Sequence, residues 1–192
     1  VMSADPMSQR IDRVIPYVKD TRNALVVQPG TGLSRTEMAS LEAALKIGIQ
    51  ILYQLEDREI GSEPLPEPGD RRRLLYYEAS EGGAGVLRQL VEDAAALPAV
   101  ARKALELLHF DPDTGADLGH ALGEEERCEA ACYDCLLSYY NQRDHSFLDR
   151  HAIAPILLDW SRQRVELSPA PVPRPEHVAR LERACQSDLE RR

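Results

Sequence analysis

Apolar positions change their period several times along this chain, and the changes mark out its elements. Between residues 10 and 29, Val14-Ile15 and Leu25-Val26-Val27 flank the polar run Lys19-Asp20-Thr21-Arg22-Asn23, which reads as two strands joined by a turn. Pro29, Gly30 and Gly32 stop the second strand. Ser34-Arg-Thr-Glu37 has the spacing of a capping box, in which serine oxygen and glutamate carboxylate satisfy orphan amides reciprocally. The helix it starts is expected to run to about Glu56, with Met38, Leu41, Leu45, Leu52 and Leu55 on one stripe. Ile47, Ile49 and Ile51 widen that stripe, so the helix packs on more than one side.

Pro64, Pro66 and Pro68-Gly69 then demote the next stretch to an edge strand and an exposed loop. Arg73-Leu-Leu-Tyr-Tyr-Glu78 is the strongest strand signal in the chain. It passes through Ser80-Glu81-Gly82-Gly83-Ala84-Gly85 into a helical pattern over 86–92, and a further helix is expected from Pro98 to Leu108. His109-Phe-Asp-Pro-Asp-Thr-Gly115 is turn chemistry. Its faint likeness to a calcium loop fails at Pro112 and at the missing glutamate twelve positions on. Ser146-Phe-Leu-Asp149 opens a last helix carrying Leu148, Ile153, Ile156, Leu157 and Trp160, with a bend expected at Pro155. The pattern predicts an α+β fold, a small mostly antiparallel sheet packed on helices. One domain is expected over 1–166, a stiff Pro-rich linker over 167–175, and over 176–192 the start of a further helical segment that looks truncated.

Cys128-Glu-Ala-Ala-Cys132-Tyr-Asp-Cys135 does not fit a simple packing face. On a straight helix these positions share a side, but a rise of 1.5 Å per residue separates the outer two by about 10 Å. Thiolates on one zinc lie about 2.3 Å from the metal, so three of them require the backbone to unwind here. The charged lead-in Gly123-Glu-Glu-Glu-Arg127 and the Cys-x-x-Cys bite favour metal over packing. A redox Cys-x-x-Cys is disfavoured because no strand immediately precedes it. His145, ten residues past Cys135, is the expected fourth ligand, with Cys185 as rival. Cys185 also falls at helical spacing with Val178, Leu181 and Leu189. Four protein ligands leave no position for an activated water, which makes the ion structural and the helical segment around it a zinc-binding subdomain.

A hydrophobic content of 43% is enough for a core, and the absence of a long apolar run or signal pattern points to the cytoplasm. The net charge of -9 argues against unaided DNA binding. Arg71-Arg72-Arg73 forms a local basic strip, better read as a solvated strand entrance. The glycine turn exposes amides that could hold an anion but lacks both nucleotide fingerprints. Glu81 at its mouth could itself satisfy those amides, and tight helix-to-strand packing is the better account. Glu59, Glu78 and Glu81 could serve as acid and base only if they converge. The cysteine context also lacks the His-x-Glu and Pro-Cys-x-x-Cys of zinc deaminases.

Leu-Glu-Asp at 55–57, Tyr-Glu-Ala-Ser-Glu-Gly-Gly-Ala-Gly at 77–85, the cysteine cluster at 128–135, and Asn-Gln-Arg-Asp-His with Leu-Asp-Arg at 141–150 together resemble the MrfA-type zinc-binding domain. That domain lies C-terminal to the motor of certain superfamily 2 DEAD/H-box DNA helicases and in DISARM-like phage-defence proteins. The resemblance covers residues 10 to 165. It implies four-cysteine zinc coordination, with Cys128, Cys132 and Cys135 carried over individually and Asn141 standing where the fourth cysteine is expected. It also implies a non-catalytic accessory role in DNA repair or phage defence beside helicase motor domains of the same parent chain. ATP and DNA would be bound through that parent, whose nucleotide-binding motifs these residues lack. A protein-interaction module of a defence complex is the alternative.

Overall fold

The computed structural model describes residues 16–166 except 18, 31, 81, 122, 124 and 125, together with 175–176, 178–179 and 183. Three strands form one antiparallel sheet: β1 (Ala24–Val27), β2 (Ile60–Glu67) and β3 (Asp70–Glu78), in the order β1-β3-β2. The strand with the strongest sequence signal is therefore the central one. Leu74 and Tyr76 of β3 are fully buried, whereas Arg72 and Arg73 are exposed. β2 is the proline-bearing edge strand, and its register against β3 shifts between Leu65 and Pro66, where proline withdraws an amide from the ladder. Of the two strands expected over 10–29, Val14-Ile15 lie outside the described residues.

Helix α1 (Arg35–Tyr53) begins at the capping box: the Ser34 amide donates to Glu37 Oε2 at 2.7 Å and the Glu37 amide to Ser34 Oγ at 3.2 Å. It ends at Tyr53, not near Glu56, because Gln54 turns left-handed (φ 56°) and the Leu55 amide returns to the Gln50 carbonyl. Met38, Leu41, Leu45 and Ile49 are buried, facing the sheet on one side and helices on the other, as the broad apolar stripe requires. α2 (Val86–Glu92) follows the glycine turn, and α3 (Ala96–Leu107) starts two residues before Pro98. Gly48 of α1 sits against Val100 and Ala104 of α3, where a Cβ would lie 3.0 Å from the Val100 carbonyl oxygen. The lack of a side chain there lets the two helices approach closely.

Past α3 the chain runs through turns to a 3-10 segment, η1 (Tyr139–Phe147), and then into α4 (Arg150–Arg162). α4 starts after Asp149, whose carboxylate accepts from the His151 amide at 2.8 Å. Pro155 lies inside α4, where it withdraws one amide from the helix ladder. One core joins α1, β3, α3 and α4, and it includes Cys128, Cys135 and Leu136. No helix among the described residues is long and apolar enough to cross a membrane. Of the linker expected over 167–175, residues 167–174 lie outside the described residues.

The arginine run does not make a basic strip. Arg71 is buried: Nη2 pairs with both Asp144 oxygens at 2.6 and 2.7 Å, Nη1 with Glu42 Oε2 at 2.8 Å, and Nε donates to the Pro68 carbonyl. Its charge is consumed in joining β3 to α1 and η1. Arg72 pairs with Asp70 at the surface.

Candidate metal centre

The segment from Arg127 to Ser138 is turn and irregular backbone, so the chain unwinds between Cys128 and Cys135. Cys128 Sγ lies 3.8 Å from Cys135 Sγ, and Cys132 Sγ 3.5 Å from it. Sulfurs at about 2.3 Å from one tetrahedral zinc would be about 3.8 Å apart. The thiols are free, with no disulfide among them.

The fourth donor beside them is His109, whose Nε2 is 3.2 Å from Cys132 Sγ. All four donor atoms lie within 4.8 Å of one another. His109 occupies an unusual backbone position. The Phe110 amide returns to the Leu105 carbonyl and the His109 amide to the Glu106 carbonyl, a Schellman arrangement that closes α3. His109 holds the left-handed site of that motif at φ 63°, where glycine is the ordinary occupant. The helix end thereby aims an imidazole at the cysteines, and the strain is the kind that persists only where surrounding structure fixes it.

His145, the fourth ligand expected from sequence, is not brought to the sulfurs. Its Nε2 lies 3.0 Å from both the Ser138 carbonyl oxygen and Asn141 Oδ1. Both partners are acceptors, so that nitrogen donates its proton and has no lone pair for a metal. Its ring packs edge-on against Tyr133. Asn141, where a fourth cysteine was expected, is a backbone bracket: Oδ1 accepts from the Ser138 amide and Nδ2 donates to the Leu136 carbonyl. Cys185 lies outside the described residues. Sequence spacing missed His109 because eighteen intervening residues separate it from Cys128 and it reads as part of a turn. A histidine at a helix's C-terminal left-handed site was the available signal.

Burial pushes the Cys128 thiol up and the Cys135 thiol up far more, which disfavours the thiolate at both. Thiolates in this pocket need a compensating cation. Burial, then the Arg150 charge, lowers the His109 pKa and keeps its imidazole neutral, the ligating form. Donor types and spacing fit zinc.

Behind the cluster lies Arg150, with no exposed surface. Nε and Nη2 donate to the Cys128 carbonyl at 3.1 and 2.8 Å, and Nη1 donates to the Leu108 carbonyl at 3.1 Å. Nη1 and Nη2 also grip Asp117 at 2.6 and 2.9 Å. That bidentate pair, helped by His151 and the Gly119 amide, holds the Asp117 carboxyl far below the usual range.

Among the described residues of the glycine turn, the Glu78 carboxylate takes the place an anion would occupy. Glu78 Oε2 accepts from the Gly85 amide at 2.9 Å and from Asn23 Nδ2 at 3.0 Å, while Oε1 accepts from the Leu87 amide at 2.9 Å. Burial raises the Glu78 pKa, but these bonds outweigh it and leave it lowered. Glu78 thus fills the role considered for Glu81, which lies outside the described residues. Gly83 is required because a Cβ there would collide with the Glu78 carboxylate. A groove of about 740 Å³ lies between α1, β2 and η1. Its bases Lys46, Arg58, Arg71 and Arg143 are matched by Glu42, Asp57, Glu63 and Asp144, which gives it no charge preference.

Three thiols and one imidazole in a closed, partly buried knot on an α+β scaffold define a zinc-binding domain of the structural kind. The family model of the MrfA Zn-binding domain matches residues 41–136, half of the 192-residue chain, and the chain belongs to that family. The matched stretch contains His109 and all three clustered cysteines and ends before Asn141 and His145. No curated protein and no solved structure matched the chain.

Proposed function

We propose that this chain is a zinc-stapled, non-catalytic accessory domain of an ATP-dependent DNA helicase acting in DNA repair or phage defence in the cytoplasm. His109, Cys128, Cys132 and Cys135 are its metal ligands. The observation that carries the reading is the convergence of those four donors from two chain segments within 4.8 Å. When bound, zinc supplies a fixed link between the end of α3 and the cysteine segment. The chain's own residues complete the coordination sphere, which leaves no position for a reacting water.

Family membership supports the helicase parent, whose motor domains would bind ATP and contact this domain. DNA reaches it through that parent, since a net charge of -9 gives no general attraction for phosphate. Removing residues 10–165 from the parent is expected to reduce strand unwinding while largely sparing ATP hydrolysis. Unchanged unwinding refutes the role. Retention of a protein partner without DNA in a pull-down would favour the interaction module of a defence complex.

A further inference from the structure

We infer that Arg150 and Asp117 are positioning residues for the metal site, a clamp that sets the separation of its two ligand-bearing segments before any ion binds. The inference rests on the zinc reading above. It concerns residues that do not touch the ion and that neither the cysteine spacing nor the ligand set implies.

His109 and Cys128 lie nineteen positions apart in sequence, and the turn between them reaches both through single backbone bonds, from the Leu118 amide to the His109 carbonyl and from the Cys128 amide to the Gly119 carbonyl, each at 2.8 Å. Arg150 supplies the fixed length. One face of its guanidinium fork bonds the Leu108 carbonyl, one peptide before His109, and the other bonds the carbonyl of Cys128 itself. Guanidinium is planar, so those carbonyls are held at a separation set by a rigid group and not by a flexible chain. Asp117 fixes the orientation of the plane through its two-point contact. The Phe110 and Asp117 backbones pair, and the Leu118 amide donates to the His109 carbonyl at 2.8 Å, so the Asp117 anchor is tied to the same ligand. The Arg150 amide donates to the Ala130 carbonyl at 2.8 Å, inside the cysteine segment, and its guanidinium lies over the Phe110 ring with 4.8 Å to the centroid. Every anchor of this side chain lies within nine residues of a ligand in sequence. Outer partners of this sort commonly carry about 10- to 100-fold in metal affinity.

The test measures zinc affinity by chelator competition and the cobalt(II) absorption spectrum of the full chain, for wild type, Arg150→Met, Arg150→Lys and Asp117→Asn. Arg71→Met serves as control, since Arg71 is equally well bonded but touches no ligand residue. Arg150→Met is expected to lose about 10- to 100-fold in affinity and to shift the cobalt bands as the donor tetrahedron distorts. Arg150→Lys, which keeps the charge without the fork, should recover only part. Asp117→Asn keeps shape and leaves Arg150 in place, so it remains informative if Arg150→Met fails to fold; it should lose affinity by a smaller factor. Arg71→Met should lose thermal stability with unchanged affinity and spectrum. Wild-type affinity and spectrum in either Arg150→Met or Asp117→Asn would overturn the clamp. A wild type that binds no zinc would instead overturn the function proposed above.

Discussion

His109 answers two demands that conflict in an ordinary side chain. Its φ of 63° favours glycine, while its imidazole completes the donor set. The conflict can be separated experimentally. In metal-free protein, His109→Gly is expected to match or exceed wild-type stability, by up to about 1 kcal/mol, because the left-handed site is relieved. The same variant should lose nearly all stabilisation by zinc, whereas His109→Ala should lose both. Calorimetry with and without chelator checks this. Glu78 makes a second residue-scale prediction. Its folded pKa is depressed, so its contribution is present above the unfolded value of about 4.3 and is lost as pH falls through the folded one. Glu78→Gln should destabilise at pH 7 by about 1–3 kcal/mol and flatten the loss of stability between pH 5 and 3. A denaturation series against pH reads both effects.

At the scale of elements, much of the fold is legible in the sequence. The Ser34/Glu37 capping box, the central strand ending at Glu78, the proline-bearing edge strand and the unwinding between Cys128 and Cys135 all rest on local chemistry. The fourth donor does not, because His109 reaches the cysteines only through a helix end and a turn whose path depends on tertiary packing. His145 lies close in sequence, but the short 3-10 turns of η1 direct its Nε2 back onto Ser138 and Asn141. Arg71 misled for the same reason. In sequence it opens a basic run, yet the sheet turns it inward onto Glu42 and Asp144. Gly48 marks another tertiary constraint: Gly48→Leu should push α1 and α3 apart and cost about 1–3 kcal/mol, measurable by urea unfolding.

Across the whole molecule, the metal knot joins a core that α1, β3, α3 and α4 already build. The chain is therefore unlike a small zinc finger, which unfolds outright without its ion. Chelation should leave most far-ultraviolet ellipticity in place and keep a cooperative melt. Zinc at about a thousand times its dissociation constant contributes about 4 kcal/mol, and a domain of this size shifts by about 2–4 °C per kcal/mol. The expected loss on chelation is then on the order of 10 °C.

The central claim is that His109, not His145, completes a three-sulfur zinc site. X-ray absorption at the zinc edge addresses it directly on wild type, His109→Ala and His145→Ala. The account predicts three sulfurs at about 2.3 Å and one imidazole nitrogen at about 2.0 Å in wild type, with the imidazole signal lost only in His109→Ala. Imidazole scattering that survives His109→Ala and disappears in His145→Ala would contradict it.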